Sequence, residues 1–175
     1  MRGVKRALFV AAALAAGSLG ASAAPAPERQ TPSGLPVPRY VSLKFDKVNA
    51  RAGPGDDHRL LWVYRARGLP LQVIAETSEW RRVCDPDGEL AWVHKRTTDG
   101  RRTTINMTVT PAPIYRRPKE TARVVAYLKP KAMAALVRCD QDWCKVRAQD
   151  ADGWVRAGEL WGTVDAVQCR PGDVH

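Results

Sequence analysis

Two stretches of the chain repeat each other, residue class for residue class, at a spacing of 63 residues. Tyr64 matches Tyr127. Leu69, Leu71, Val73 and Ile74 match Ala132, Ala134, Leu136 and Val137; Trp80 matches Trp143, and Val83 matches Val146. The spacing falls to 62 at Trp92-Val93 and Trp154-Val155, one residue being lost in a turn. Self-similarity of this kind describes two copies of one small unit rather than one large core. A unit of about 60 residues has a thin core and is marginal alone. Packing of one copy on the other, or covalent cross-links, must supply the rest.

Each copy reads as strands. Short alternating or clustered apolar runs are broken by Gly, Pro and Asp, and no useful helical period appears. The first copy predicts strands at Tyr40–Phe45, Val48–Arg51, Leu60–Tyr64, Pro70–Glu76, Trp80–Cys84 and Leu90–His94. The second predicts Met107–Thr110, Ile114–Tyr115, Val124–Leu128, Ala132–Arg138, Trp143–Arg147 and Gly153–Val155. Lys95 to Thr104, KRTTDGRRTT, reads as a polar, basic connector.

The N-terminal 23 residues stand apart. Arg2, Lys5 and Arg6 precede an apolar run from Leu8 to Leu19, and Ala21-Ser22-Ala23 follows. This is the pattern of a secretory signal cleaved after Ala23, its apolar run too short to span a bilayer comfortably. Residues 24–38 carry five prolines and read as an extended linker. The organisation expected is signal peptide 1–23, linker 24–38, first domain 39–103, second domain 104–165 and tail 166–175. No transmembrane segment is expected after cleavage. Localisation is then periplasmic or secreted. The formal charge of +10 becomes +7 when the three signal cations are removed, so the mature chain stays basic.

All four cysteines, Cys84, Cys139, Cys144 and Cys169, lie in the mature part. An even count in an exported chain points to disulfides. Four cysteines allow three pairings. In RCDQDWC a hairpin turn over Asp140 to Asp142 would set Cys139 and Cys144 across from each other on two strands, within disulfide reach. That leaves Cys84 with Cys169.

The stretch VNARAGPG at residues 48–55, then GLPLQVI, WRRV and AWV, resembles the bacterial Src homology 3 (SH3) family of extracellular domains. The second copy resembles a diverged member. VTPAPIYRRP keeps the strand but loses Gly-Pro-Gly, while WCKV, GWV and AGELWG remain. The resemblance spans residues 40–165 and implies an all-β chain of two tandem SH3-like barrels. Gly53-Pro54-Gly55 would then turn the first strand, proline fixing φ and the glycines accepting unusual angles.

Catalysis has little support. His58, His94 and His175 share no metal spacing with one another or with a cysteine, and no Gly-rich phosphate loop or G-x-S-x-G elbow occurs. Cell-wall cysteine peptidases often carry SH3-like domains, but no length remains here for their catalytic domain. No enzymatic activity, metal or cofactor is therefore expected.

Trp80 and Trp143 open the strand after a polar turn, where the resemblance places the tryptophan of a peptide groove. A surface indole offers a flat apolar face and one N–H donor; the alternative is a residue at the core edge. Trp62 and Tyr64 alternate on one strand face and would complete a groove with Trp80. Trp92 and Trp154 read as core, and Trp161 as a cap on the second unit. Arginines and lysines, Arg96 among them, cluster in both copies; outside the cytoplasm they suit lipopolysaccharide, anionic lipids or the carboxylates of peptidoglycan stem peptides. They equally describe a solvated basic surface. Export disfavours nucleic acid. The expected function is a monomeric, non-enzymatic module binding peptidoglycan or a peptide ligand in the cell envelope. The alternative is a structural protein docking an envelope partner without a small ligand of its own.

Overall fold

A computed structural model describes residues 31–149 and 151–169. The expected signal peptide, residues 24–30 of the expected linker and the last six residues lie outside the described residues. Seven strands form a first sheet: β1 (Arg39–Leu43), β2 (Val48–Arg51), β3 (Leu60–Tyr64), β4 (Pro70–Glu76), β5 (Trp80–Cys84), β6 (Leu90–His94) and β7 (Thr98–Asp99). Seven more form a second: β8 (Thr103–Asn106), β9 (Ala112–Tyr115), β10 (Val124–Leu128), β11 (Met133–Asp140), β12 (Trp143–Ala148), β13 (Ala151–Arg156) and β14 (Leu160–Trp161). The orders are β3-β2-β6-β5-β4-β1-β7 and β10-β9-β13-β12-β11-β8-β14, the same order strand for strand. The fold is all-β, in two tandem units, and the repeat in the sequence is a repeat in topology.

Alternation puts one face of each strand inside. In the first unit Val41, Leu43, Val48, Ala50, Leu71, Val73, Val83 and Val93 form a closed core. In the second, Ala112, Ile114, Leu128, Val146, Val155 and Leu160 do so, with alanines packed around them. Both sheets carry an irregularity at the same place, between Val73 and Ala75 and between Leu136 and Arg138. An extra residue there bends the strand and raises its twist, which a strongly curved sheet requires.

The register corrects one sequence match. Val48 pairs with Tyr64 and Ala50 with Trp62; in the second unit Ala112 pairs with Leu128 and Ile114 with Ala126. Residues of these hairpins therefore correspond at 64, not 63, because the loop from β10 to β11 is one residue shorter than that from β3 to β4. Tyr64 corresponds to Leu128. A slip of one residue moves a side chain to the opposite face, and Tyr127 accordingly stands 63% exposed while Leu128 is buried.

Two further expectations are corrected. Met107–Thr110 is a turn, not a strand. Buried Asn106 accepts from the Thr108 amide (2.8 Å) and donates to Thr110 O (3.0 Å) and Leu128 O (2.9 Å), an arrangement that folds the chain back. The segment 95–104 is more than a connector: it contains a 3-10 turn (Lys95–Thr97), then β7, then the start of β8, so it edges both sheets.

The two units are joined closely. Ser42 Oγ meets Arg101 O (2.7 Å) and Thr103 Oγ1 (2.6 Å), and Thr103 donates to Gly68 O. Trp161, expected as a cap on its own unit, instead meets Tyr40 of the first unit edge-on, ring centroids 5.3 Å apart. Burial pushes the Tyr40 phenol up to about 12, although Arg102 lies 5.0 Å from its ring. Gly162, at φ +98°, makes the turn after β14; a Cβ there would lie 3.1 Å from Thr103 O.

The C-terminal tail returns to the first unit. The fully buried Gln72 amide donates to Ala166 O (2.9 Å) and accepts from the Gln168 amide (2.8 Å). Cys169 is bonded to Cys84, with Cα atoms 5.7 Å apart. Cys139 and Cys144 are bonded directly across β11 and β12, Cα atoms 4.0 Å apart. At the other end, residues 31–38 dock rather than extend. Ser33 and Arg39 both bind Glu76, whose side chain is almost fully buried.

Candidate functional site

Trp62 and Tyr64, expected to complete a groove with Trp80, lie apart from it, and Trp143, the candidate of the second copy, stands in the second unit. Trp62 and Tyr64 share the inner face of β3, with ring centroids 5.9 Å apart and edges crossed. Tyr64 is a core residue. Its hydroxyl donates to Asp85 Oδ2 (3.1 Å), while Asp85 Oδ1 accepts from the Asp87 (3.0 Å) and Glu89 (2.9 Å) amides of the following turn. Burial raises the Asp85 carboxyl above its ordinary range. Burial and the neighbouring Asp85 charge likewise push the Tyr64 phenol far up. Tyr64 and Asp85 lock the β5–β6 turn to the core, and the buried Tyr64 offers no ring face to a ligand, while Trp62 is only partly buried.

Trp80 opens β5 on the outer face, after a tight turn in which its amide donates to Thr77 Oγ1 (3.0 Å). Directly opposite on β6 is His94, and the two rings lie 5.2 Å apart at 55°. A cleft of about 180 Å³ opens beside them, walled also by Lys47, Arg51, Arg96 and Asp56. Trp80 itself is 9% exposed, so it presents an edge and not a free face. Three cations and one carboxylate surround the two rings. Such a place suits a small group bearing negative charge.

The stretch VNARAGPG builds one wall of this cleft. Arg51, the last residue of β2, donates to His58 O (2.9 Å) and pairs with Asp56 (3.2 Å), fastening the loop that begins with Gly-Pro-Gly. The glycines serve close approach. A Cβ on Gly53 would lie 2.4 Å from the His58 ring, and neither Gly53 nor Gly55 has positive φ. Arg51 Nε is buried without a hydrogen-bond partner.

Trp143 holds the matching position in the second unit, but its surroundings differ. Opposite it stands Arg156, whose guanidinium lies 4.4 Å from the indole centroid. Tyr115, the counterpart of Arg51, meets the indole edge-on at 5.4 Å. Arg156 is bound by Glu120 (2.6 and 3.1 Å), which raises its pKa. The second tryptophan is thus covered by an internally neutralised cation, and the two sites are not equivalent. Trp92 and Trp154, expected in the core, lie on the outer faces of β6 and β13. Trp92 is half-buried opposite Arg82, and Trp154 is buried beneath Arg138 at 5.2 Å.

Lys47, Arg51 and His94 were not legible as site residues, and Arg96 only as one member of the basic cluster of the first copy and connector. Only His94 had a usable signal: counting across the Asp87-Gly88 turn sets it opposite Trp80. Among the described residues no group of three or more His, Cys, Asp or Glu side chains could hold a metal ion. No described helix is long and apolar enough to cross a membrane.

The family model for the bacterial SH3 domain matches the chain twice, over residues 44–100 and 108–162. Solved structures with similarity include NlpC2 from Trichomonas vaginalis, at 15% identity and TM-score 0.34, and NlpC1 from the same organism, at 17% and 0.33. Each match covers 71% of this chain, which spans under half of those proteins, 48% and 45% respectively. No curated protein matches the chain.

Proposed function

The chain belongs to the bacterial SH3 domain family, in two consecutive copies, and from that premise we propose that it is an exported, non-enzymatic binding module of the cell envelope. Its ligand is peptidoglycan or an envelope peptide, held at the Trp80 cleft of the first unit. The observation that carries the reading is the convergence of Trp80, His94, Lys47, Arg51 and Arg96 on one cleft. An indole edge packs against an apolar side chain or sugar ring, and the arginine forks take a carboxylate. Stem peptides of peptidoglycan present both kinds of group.

Export is supported by the leader pattern of residues 1–23 and by two disulfides, which persist in oxidising compartments. The non-enzymatic reading draws on the same bonds. All four cysteines are consumed by disulfides, so none offers a thiolate nucleophile. The second tryptophan, covered by Arg156, is the weaker site.

Co-sedimentation with purified peptidoglycan sacculi tests this, at low and high salt, with Trp80→Ala and Trp143→Ala alongside. The proposal expects binding that survives salt, falls with Trp80→Ala and is little changed by Trp143→Ala. Binding abolished by salt and indifferent to both substitutions would reduce it to charge attraction. A second reading is favoured by the Cys84–Cys169 bond, which ties the tail after the second unit to the first. In that reading the joined barrels dock an envelope protein as one body. Absence of sacculus binding together with a cross-linked partner in the envelope would select it.

A further inference from the structure

A cavity of about 460 Å³ opens in the second unit, at the end of the β12–β13 hairpin remote from Trp143. Its size is within the range of small-ligand sites. Ile114 and Leu128 form its floor. Ala126, Ala132, Ala148 and Ala151 line it, and Lys129 is the one charged residue in the described wall.

The first unit shows what the same position holds in the other copy. By register, Ala126 stands at the place of Trp62 and Leu128 at that of Tyr64. Ala148, the last residue of β12, corresponds at a spacing of 63 to Asp85, which follows β5. In the first unit the crossed Trp62 and Tyr64 rings, with Asp85 receiving the Tyr64 hydroxyl, occupy this space. In the second, each of the three is replaced by alanine or leucine, and the space stands open.

We propose that this cavity receives one aromatic side chain of a partner polypeptide, flanked in that partner by carboxylates. The aromatic class follows from the first unit, where this fold accepts an indole and a phenol at the same place. The carboxylates follow from Lys129, the only charge in the described wall. The chain does not supply the occupant from its own undescribed ends, whose one aromatic residue is Phe9, within the leader pattern. The site is separate from the Trp80 cleft and stands without it.

The test is a titration of the ¹⁵N-labelled full chain, disulfides intact, with the pentapeptide Gly-Glu-Tyr-Glu-Gly. Controls replace its tyrosine by alanine or its glutamates by lysine. The amides of Ala126, Leu128, Ala148 and Ala151 are expected to shift saturably with the tyrosine peptide, less with the lysine version and not with the alanine version. Ala126→Trp, which installs the first unit's residue, is expected to weaken binding about tenfold or more. Ala126→Met serves the same end with less disturbance should the larger residue hinder folding. The proposal is overturned if the tyrosine peptide gives no saturable shift. It is also overturned if the alanine peptide binds equally well, or if neither substitution weakens binding. Self-association that disappears with Phe45→Ser, a side chain half exposed, would assign the cavity to a second copy and equally overturn it.

Discussion

Glu76 is the point where the N-terminal segment is fastened to the first unit, and its protonation should be visible in stability. Its side chain is 2% exposed. Burial alone would raise its pKa, but hydrogen bonds from the Ser33 hydroxyl and amide and from Arg39 (2.5 Å) outweigh that, and the carboxyl is held at about 2 against an ordinary 4.5. Arg81 lies 3.7 Å away on the other side. Each tenfold change in proton affinity is worth about 1.4 kcal/mol, so the ionised carboxyl contributes at most about 3 kcal/mol. The folded pKa is below the unfolded one. The contribution is therefore complete above about pH 4.5, shrinks as pH falls and is lost near pH 2. Glu76→Gln removes this dependence and leaves Arg39 and Arg81 without their shared carboxylate. Urea unfolding of wild type and variant from pH 7 down to pH 2 would measure it. The gap between the two curves should close by about 3 kcal/mol across that window. A gap that stays constant with pH would refute the linkage, and a gap that widens on acidification would reverse its sign.

Further predictions rest on named contacts. Breaking Cys84–Cys169, which closes 85 residues, should cost about 4–5 kcal/mol in denaturant unfolding, and breaking Cys139–Cys144, which closes 5, about 2 kcal/mol. Leu128→Ala should cost about 2–5 kcal/mol and Tyr127→Ala within about 0.5 kcal/mol, since the first side chain is buried and the second exposed; the reverse order in a thermal melt would overturn the β9–β10 register. Gly53→Ala should cost about 1–3 kcal/mol, because its Cβ would meet the His58 ring at 2.4 Å. The companion change His58→Ala should recover part of that loss in the same assay.

Much of the fold was legible because apolar alternation and turn residues agree with the topology. Five strands of the first unit, from Val48–Arg51 to Leu90–His94, end where the sequence pattern ends. What was not legible has local causes. β7 and β14 are two residues each, too short for alternation to show. Met107–Thr110 alternates like a strand, but Asn106 spends its side chain folding it into a turn. Matching Tyr64 to Tyr127 followed residue identity, and one residue lost in a loop moved the match to the wrong face. The Trp80 cleft was legible only by its tryptophan. Its cations come from the end of β2, the β1–β2 turn and the 3-10 turn after β6, which only the closed sheet brings together. The open cavity of the second unit was not legible until the register showed which alanines replace Trp62 and Asp85.

The Trp80 cleft is tested most directly by following the tryptophan indole N–H signals while a soluble muropeptide is titrated into the labelled chain. The account predicts that the Trp80 signal and the amides of Arg51, His94 and Arg96 move together and saturate, at high as well as low salt, while the Trp143 signal stays in place. Shifts spread over the basic surface that vanish with salt, or saturable shifts at Trp143 with Trp80 unmoved, would contradict it.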